Sequence, residues 1–76
     1  MINYQFIKDL PGGATFRLGI AVQSSRGWRF IPNVAGRKSS NKFHPTMRGC
    51  LPRWIKYPNG CRSVAVPHRT AEAETP

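Results

Sequence analysis

Residues 2–8 alternate, with Ile2, Tyr4 and Phe6 on one side of the pattern and Asn3, Gln5 and Ile7 on the other. That is the period of a half-buried strand. Asp9-Leu10-Pro11-Gly12-Gly13 follows as a turn, because proline presets one dihedral and glycine accepts positive φ. Residues 14–23 alternate again, setting Phe16, Leu18, Ile20 and Val22 against Thr15, Arg17, Gly19, Ala21 and Gln23. Ser24-Ser25-Arg26-Gly27 is a second turn, and residues 28–34 form a third strand with Trp28, Phe30 and Pro32 in phase. Facing Phe6 with Phe16, and Val22 with Trp28, gathers every large apolar side chain except Ile7 and Ile31 on one side of a meander. A slip of one residue would invert that arrangement. Pro32 lacks an amide donor, which places the third strand at a sheet edge.

The period then changes. Residues 35–43 form a polar, basic loop, and from Pro45 to Tyr57 the residues Met47, Cys50, Leu51, Trp54 and Ile55 follow the spacing of one helix stripe. Arg48, Arg53 and Lys56 fall on the opposite arc. His44 or Thr46 can cap the start. Gly49 and Pro52 are poor interior residues, so a kink is expected at Pro52. Tyr57-Pro58-Asn59-Gly60 is a turn, and Cys61 to Val66 can add a short strand. The predicted fold is therefore α+β, a three-stranded antiparallel β-meander packed against one kinked α-helix (β-β-β-α). It forms a single domain over 1–66 with a flexible C-terminal tail over 67–76.

Charge narrows the class of partner. The chain has 76 residues and a formal net charge of +9, and its acids are Asp9, Glu72 and Glu74. From Leu10 to Ala71 there is no acid, while eleven basic residues fall there. A positive surface concentrates polyanions and speeds their encounter. The expected partner is nucleic acid, DNA or RNA, or an acidic face of a host protein, and a homodimer is compatible with the pattern. No apolar run approaches the ~20 residues of a membrane span. The N-terminus lacks the features of a signal peptide, so the expected setting is the cytoplasm, with both cysteines reduced.

In the predicted meander the outer sheet face carries Gln5, Arg17, Gln23 and Arg29, side chain types that pair with base edges. Gly19 and Ala21 lie among them, where small side chains permit close approach of another backbone. Arg37, Lys38 and Lys42 in the loop suit phosphate contacts, and Arg48, Arg53 and Lys56 extend the same footprint. A solvated sheet face, a solvated loop and the ordinary solvent side of an amphipathic helix are the plain alternatives for these three groups. No cofactor or metal is expected: His44, Cys50, Cys61 and His68 lack the close ligand pairs of zinc modules. No paired carboxylates exist for acid–base chemistry, and the stripe buries Cys50, which removes it as a nucleophile. The chain reads as a non-enzyme.

Gly27-Trp28-Arg29-Phe30, His44-Pro45-Thr46 and Leu51-Pro52-Arg53-Trp54 together resemble a pattern in small uncharacterised phage and prophage proteins. The resemblance covers residues 27–55 and marks a lineage rather than an activity. The strand order is also similar to that of the arm-binding domains of tyrosine recombinases and the plant ethylene-response DNA-binding domain. That likeness is one of topology. What these resemblances imply is a phage or mobile-element accessory protein that binds nucleic acid. The rival implication is a phage-encoded inhibitor of a host defence protein, of the kind that blocks CRISPR complexes. A structural or ribosome-associated basic module is a third reading.

Overall fold

The computed structural model describes residues 2–67. It contains one antiparallel sheet of four strands, β1 (Ile2–Asp9), β2 (Thr15–Ser24), β3 (Gly27–Pro32) and β4 (Arg62–Pro67), in the order β3-β2-β1-β4. The two turns expected between the first three strands are present. Leu10 N–H donates to Ala14 O across 2.8 Å, closing a hairpin loop in which Gly12 and Gly13 take φ of +83° and +86°. That conformation is costly for any residue with a Cβ. Ser25 and Arg26 make a two-residue loop between the paired Ser24 and Gly27. The sheet edge expected at Pro32 is found, since β3 is an outer strand. Pro67 closes β4, and the rest of the predicted tail, 68–76, lies outside the described residues.

The predicted helix is absent, so the β-β-β-α assignment is corrected to a mostly β domain. Between β3 and β4 the only helical geometry is a 3-10 turn at Arg48–Cys50. Thr46 starts it: its Oγ1 accepts from Gly49 N–H at 3.0 Å. Leu51 ends it by turning extended, with ψ of 133°. The cause is Pro52, whose ring crowds the preceding residue out of the α region and which has no amide to donate. The chain then proceeds by turns, Ile55 N–H to Pro52 O and Gly60 N–H to Lys56 O. The stripe nevertheless packs inward. Cys50 and Ile55 are buried, and Met47, Leu51 and Trp54 pack against the core. An irregular layer over 33–61 thus covers one sheet face.

The predicted register is also corrected. The first turn sets Lys8, rather than Phe6, opposite Phe16. That displacement of two residues would leave every face unchanged. A bulge at Leu18 then adds one residue, so that Phe6 faces Gly19 and Tyr4 faces Ala21. The tight second turn adds another shift of one, pairing Trp28 with Gln23 and Phe30 with Ala21. The result is that β1 and β3 keep their predicted faces and the stretch of β2 beyond the bulge is turned over.

That inversion builds the core. Gly19 and Ala21 lie between the aromatic rows of β1 and β3. A methyl group at Gly19 would overlap the Phe30 ring and stand 2.7 Å from Ile31 O. The space is filled by edge-to-face pairs, Phe6 with Phe30 at 6.0 Å, Phe6 with Tyr57 at 5.1 Å and Phe30 with Trp54 at 5.9 Å. Tyr4 and Trp28 lie 5.9 Å apart beside them. Phe6, Ala21, Phe30, Cys50, Ile55 and Cys61 are buried. Ile20, predicted as core, stands on the opposite face.

Candidate nucleic-acid interface

The ten sequence-predicted site residues do not share one surface. Gln5 sits in the outer sheet face between Ile20 and Val64, and Arg17 stands opposite Ile7 on that same side. Gln23 pairs with Trp28 in β3 and is on the inner face with Ala21. Arg29 lies opposite Val22 at one corner of the outer face, where its guanidinium stacks 5.7 Å from the Phe43 ring. The small-residue patch expected between Arg17 and Arg29 is not at the surface, because Gly19 and Ala21 are buried beneath the covering layer. The outer face carries Ile20, Val22, Ile31 and Val64 instead, which makes it more aliphatic than polar.

The other six share one segment of the chain. Arg37, Lys38, Lys42, Arg48, Arg53 and Lys56 all belong to the covering layer, and all are exposed. Asp9 is the one carboxylate side chain among the described residues, and it is committed elsewhere. Arg62 Nε donates to Asp9 Oδ2 at 2.9 Å and Arg62 Nη2 to Asp9 Oδ1 at 3.3 Å. The six cations of the layer therefore have no carboxylate partner among the described residues, and their fields add.

Two of these cations, and two arginines outside the six, lie over aromatic rings. Arg37 lies 4.9 Å above Trp54, Arg48 5.3 Å above Tyr57, and Arg26 joins Arg29 at 5.7 Å from Phe43. Trp54, Tyr57 and Phe43 are each half-buried. One part of each ring therefore packs inward while the rest meets a guanidinium. Such pairs are worth about 0.5–1 kcal/mol at exposed sites. They hold guanidinium groups close to the surface, where their remaining N–H donors can meet an anion. The sequence reading missed the three rings as surface groups. The available signal was their spacing among arginines in a segment whose prolines forbid a regular helix.

A cleft of about 70 Å³ opens in this layer. Phe30, Pro32, Pro52 and Trp54 wall it, the buried Cys50 lies at its floor, and the exposed Lys38 and Ser40 stand at its rim. Ser40 Oγ accepts from Lys42 N–H at 3.1 Å. Cys50 Sγ donates to Met47 O at 2.9 Å, and burial pushes its thiol up to about 11. Cys61 is shifted in the same direction by burial. Both cysteines are free and buried rather than bridged. A second cavity, of about 270 Å³, is bounded by the Asp9–Arg62 pair and the Pro58–Cys61 turn.

No cluster of three metal-ligating side chains occurs among the described residues. No helix among them is long and apolar enough to cross a membrane. Comparison with protein-family models, with curated proteins and with solved structures finds no match to this chain.

Proposed function

We propose that this chain is a small, basic, non-catalytic nucleic-acid-binding protein of phage or mobile-element type, acting in a bacterial cytoplasm and gripping its ligand through the 33–61 layer. The observation that carries the reading is a layer with six exposed cations and no carboxylate of its own, two of which, Arg37 and Arg48, lie over the half-buried rings of Trp54 and Tyr57. Cations fix a phosphate backbone, and aromatic or guanidinium planes accept unstacked bases. This combination suits single strands better than a duplex groove, because the layer is irregular and presents neither a helix nor a protruding ribbon to insert. A non-catalytic role fits a site with no carboxylate and a thiol held protonated.

Fluorescence anisotropy with single- and double-stranded DNA and RNA tests the reading. Binding should be tightest to single strands. If all six cations reach phosphates of a single strand, affinity should fall on the order of a few hundredfold between about 50 and about 200 mM salt. Arg48→Ala and Arg53→Ala should each lower the salt slope, while Arg17→Ala, on the far face, should not. Absence of binding to every one of these at low salt would sink the proposal.

The outer face favours a second reading. A half-exposed aliphatic row, Ile31-Ile20-Gln5-Val64, is better matched to a protein surface than to phosphates. On that reading the chain is a phage-encoded inhibitor that occupies a host defence protein. Salt-resistant capture of one host protein, abolished by Ile20→Asp and indifferent to Arg53→Ala, would favour it over the first.

A further inference from the structure

We propose that the cleft beneath Lys38 and Ser40 holds the edge of one unpaired pyrimidine base, uracil or thymine, against the Trp54 ring, so that the layer prefers pyrimidine-rich single strands. The inference rests on the nucleic-acid reading above and adds a ligand to it. The size of the cleft is the first argument. About 70 Å³ is far below the roughly 300–1,000 Å³ of pockets that enclose a whole small molecule. It suits a flat ring edge whose remaining bulk, sugar and phosphate, stays outside.

Chemistry is the second argument. The walls are two prolines and two aromatic rings, which meet the face of a base without asking for hydrogen bonds. The floor is neutral, since the Cys50 thiol is already donating to Met47 O. Both polar groups at the rim can donate. The Lys38 ammonium can only donate. The Ser40 oxygen accepts from the Lys42 amide at 3.1 Å with one of its two lone pairs, and its O–H is free to donate. A pair of donors matches the two keto oxygens on the pairing edge of uracil and thymine, whereas the same edge of adenine offers one acceptor beside its amino group.

Charge around the cleft is the third argument. Arg37, stacked on Trp54 at 4.9 Å, and Lys42 lie beside the rim with no carboxylate among the described residues to neutralise them. The phosphates flanking an inserted base would therefore meet cations on both sides. The same surroundings disfavour an acidic peptide in the cleft itself, because a carboxylate would have to leave water for walls that offer it only two donors.

The test compares short uridine and adenosine oligonucleotides of equal length, by anisotropy and by tryptophan quenching. A Trp28→Phe protein, which leaves Trp54 as the only indole, serves for the quenching. Uridine should bind about tenfold tighter than adenosine and should quench Trp54. Ser40→Ala, an exposed and charge-neutral change, should erase most of that preference while leaving the salt slope intact. Lys38→Met should erase the preference and lower the slope. Equal binding of the two oligonucleotides without quenching would overturn the cleft proposal and leave the nucleic-acid reading standing. No association with either at low salt would overturn both. If Trp28→Phe does not fold, the Ser40→Ala comparison alone decides, since it needs only anisotropy.

Discussion

The two faces of the sheet are built on opposite principles. On the inner face the large side chains are rings, and they are separated by the two smallest residues of β2, Gly19 and Ala21, so that Phe6, Phe30, Tyr57 and Trp54 meet edge to face. On the outer face the side chains are β-branched aliphatics of similar size, Ile20, Val22, Ile31 and Val64, laid side by side with Gln5 and Arg29. The inner face has a covering layer, and its fit depends on shape. The outer face is covered only at one corner, where Asn3 is fully buried and Phe43 lies against Arg29, and its remaining contacts are the cross-strand pairs of one sheet, each worth about 0.2–1 kcal/mol. Stability should therefore be concentrated on one side of a structure only a few strands wide.

The sharpest way to break this comparison is to remove a ring. Phe30 is buried and touches Phe6, Trp54 and the space over Gly19. Phe30→Ala should cost about 3–5 kcal/mol, the range for a large buried aromatic. In a domain of this size that is enough to unfold most of the population, visible as loss of the urea transition. A loss below about 1 kcal/mol would mean that the rings are not the core. Filling the space is the converse experiment. Gly19→Ala places its methyl group against the Phe30 ring and the Ile31 carbonyl at a φ of +159°, and should cost about 1–3 kcal/mol or more from overpacking and backbone strain together. An outward-facing position would tolerate the same change or gain from it, because alanine is less flexible than glycine in the unfolded chain.

What was legible in the sequence follows the same division. The alternation of Tyr4 with Phe6 and of Trp28 with Phe30 assigned β1 and β3 to strands and to the correct face, because each strand carries its own period. The face of β2 could not be read that way. It depends on where the turns close and on one extra residue at Leu18, and an alternating strand looks equally good in either orientation. The 45–57 segment is the reverse case. Its apolar spacing correctly selected Met47, Cys50, Leu51, Trp54 and Ile55 as inward-facing, yet Pro52 prevented the helix that the spacing implied. Periodicity reports burial, and backbone chemistry decides the conformation that delivers it. The candidate interface was legible as charge in Arg37, Lys38, Lys42, Arg48, Arg53 and Lys56. The rings under those charges were not, because the stripe had assigned Trp54 wholly to the interior.

A titration separates the layer from the sheet. Cys50 in the folded protein ionises at about 11 against an ordinary 9.0, because burial disfavours the thiolate. The folded state therefore holds the proton more tightly than the unfolded chain does. Stability from this source is fully present below pH 9.0, then falls as the pH rises toward 11, where the unfolded chain has already lost its proton. The full loss is at most about 2–3 kcal/mol. Cys61 is shifted the same way and should add to the decline. Urea midpoints measured from pH 8 to pH 11 should drop more steeply in the native protein than in Cys50→Ala. Parallel curves would mean that the thiol meets solvent and that the layer does not seal the sheet.

The smallest expected cost, at Ile20, belongs to the most discriminating comparison, because it uses one substitution at two consecutive positions. Ile20→Thr and Ala21→Thr each introduce the same β-branched side chain, so strand propensity is conserved in the first and improved in the second. Only the face differs. Ile20 is half-buried on the outer side between Gln5 and Ile31, where a threonine hydroxyl reaches water and only part of an aliphatic contact is lost. Its cost should be about 1 kcal/mol or less. Ala21 is fully buried between Tyr4 and Phe30, so threonine there adds volume where the rings interleave and brings a hydroxyl with it. Its cost should be about 2–3 kcal/mol, from overpacking and desolvation together. In the register first read from the sequence, position 20 would be the inner residue and the order of the two costs would be reversed. Paired denaturation curves for the two variants thus test the orientation of β2 directly. A larger loss at Ile20 than at Ala21 would return Gly19 and Ala21 to the outer surface and reopen the sheet face, with Arg17 and Arg29, as the binding surface.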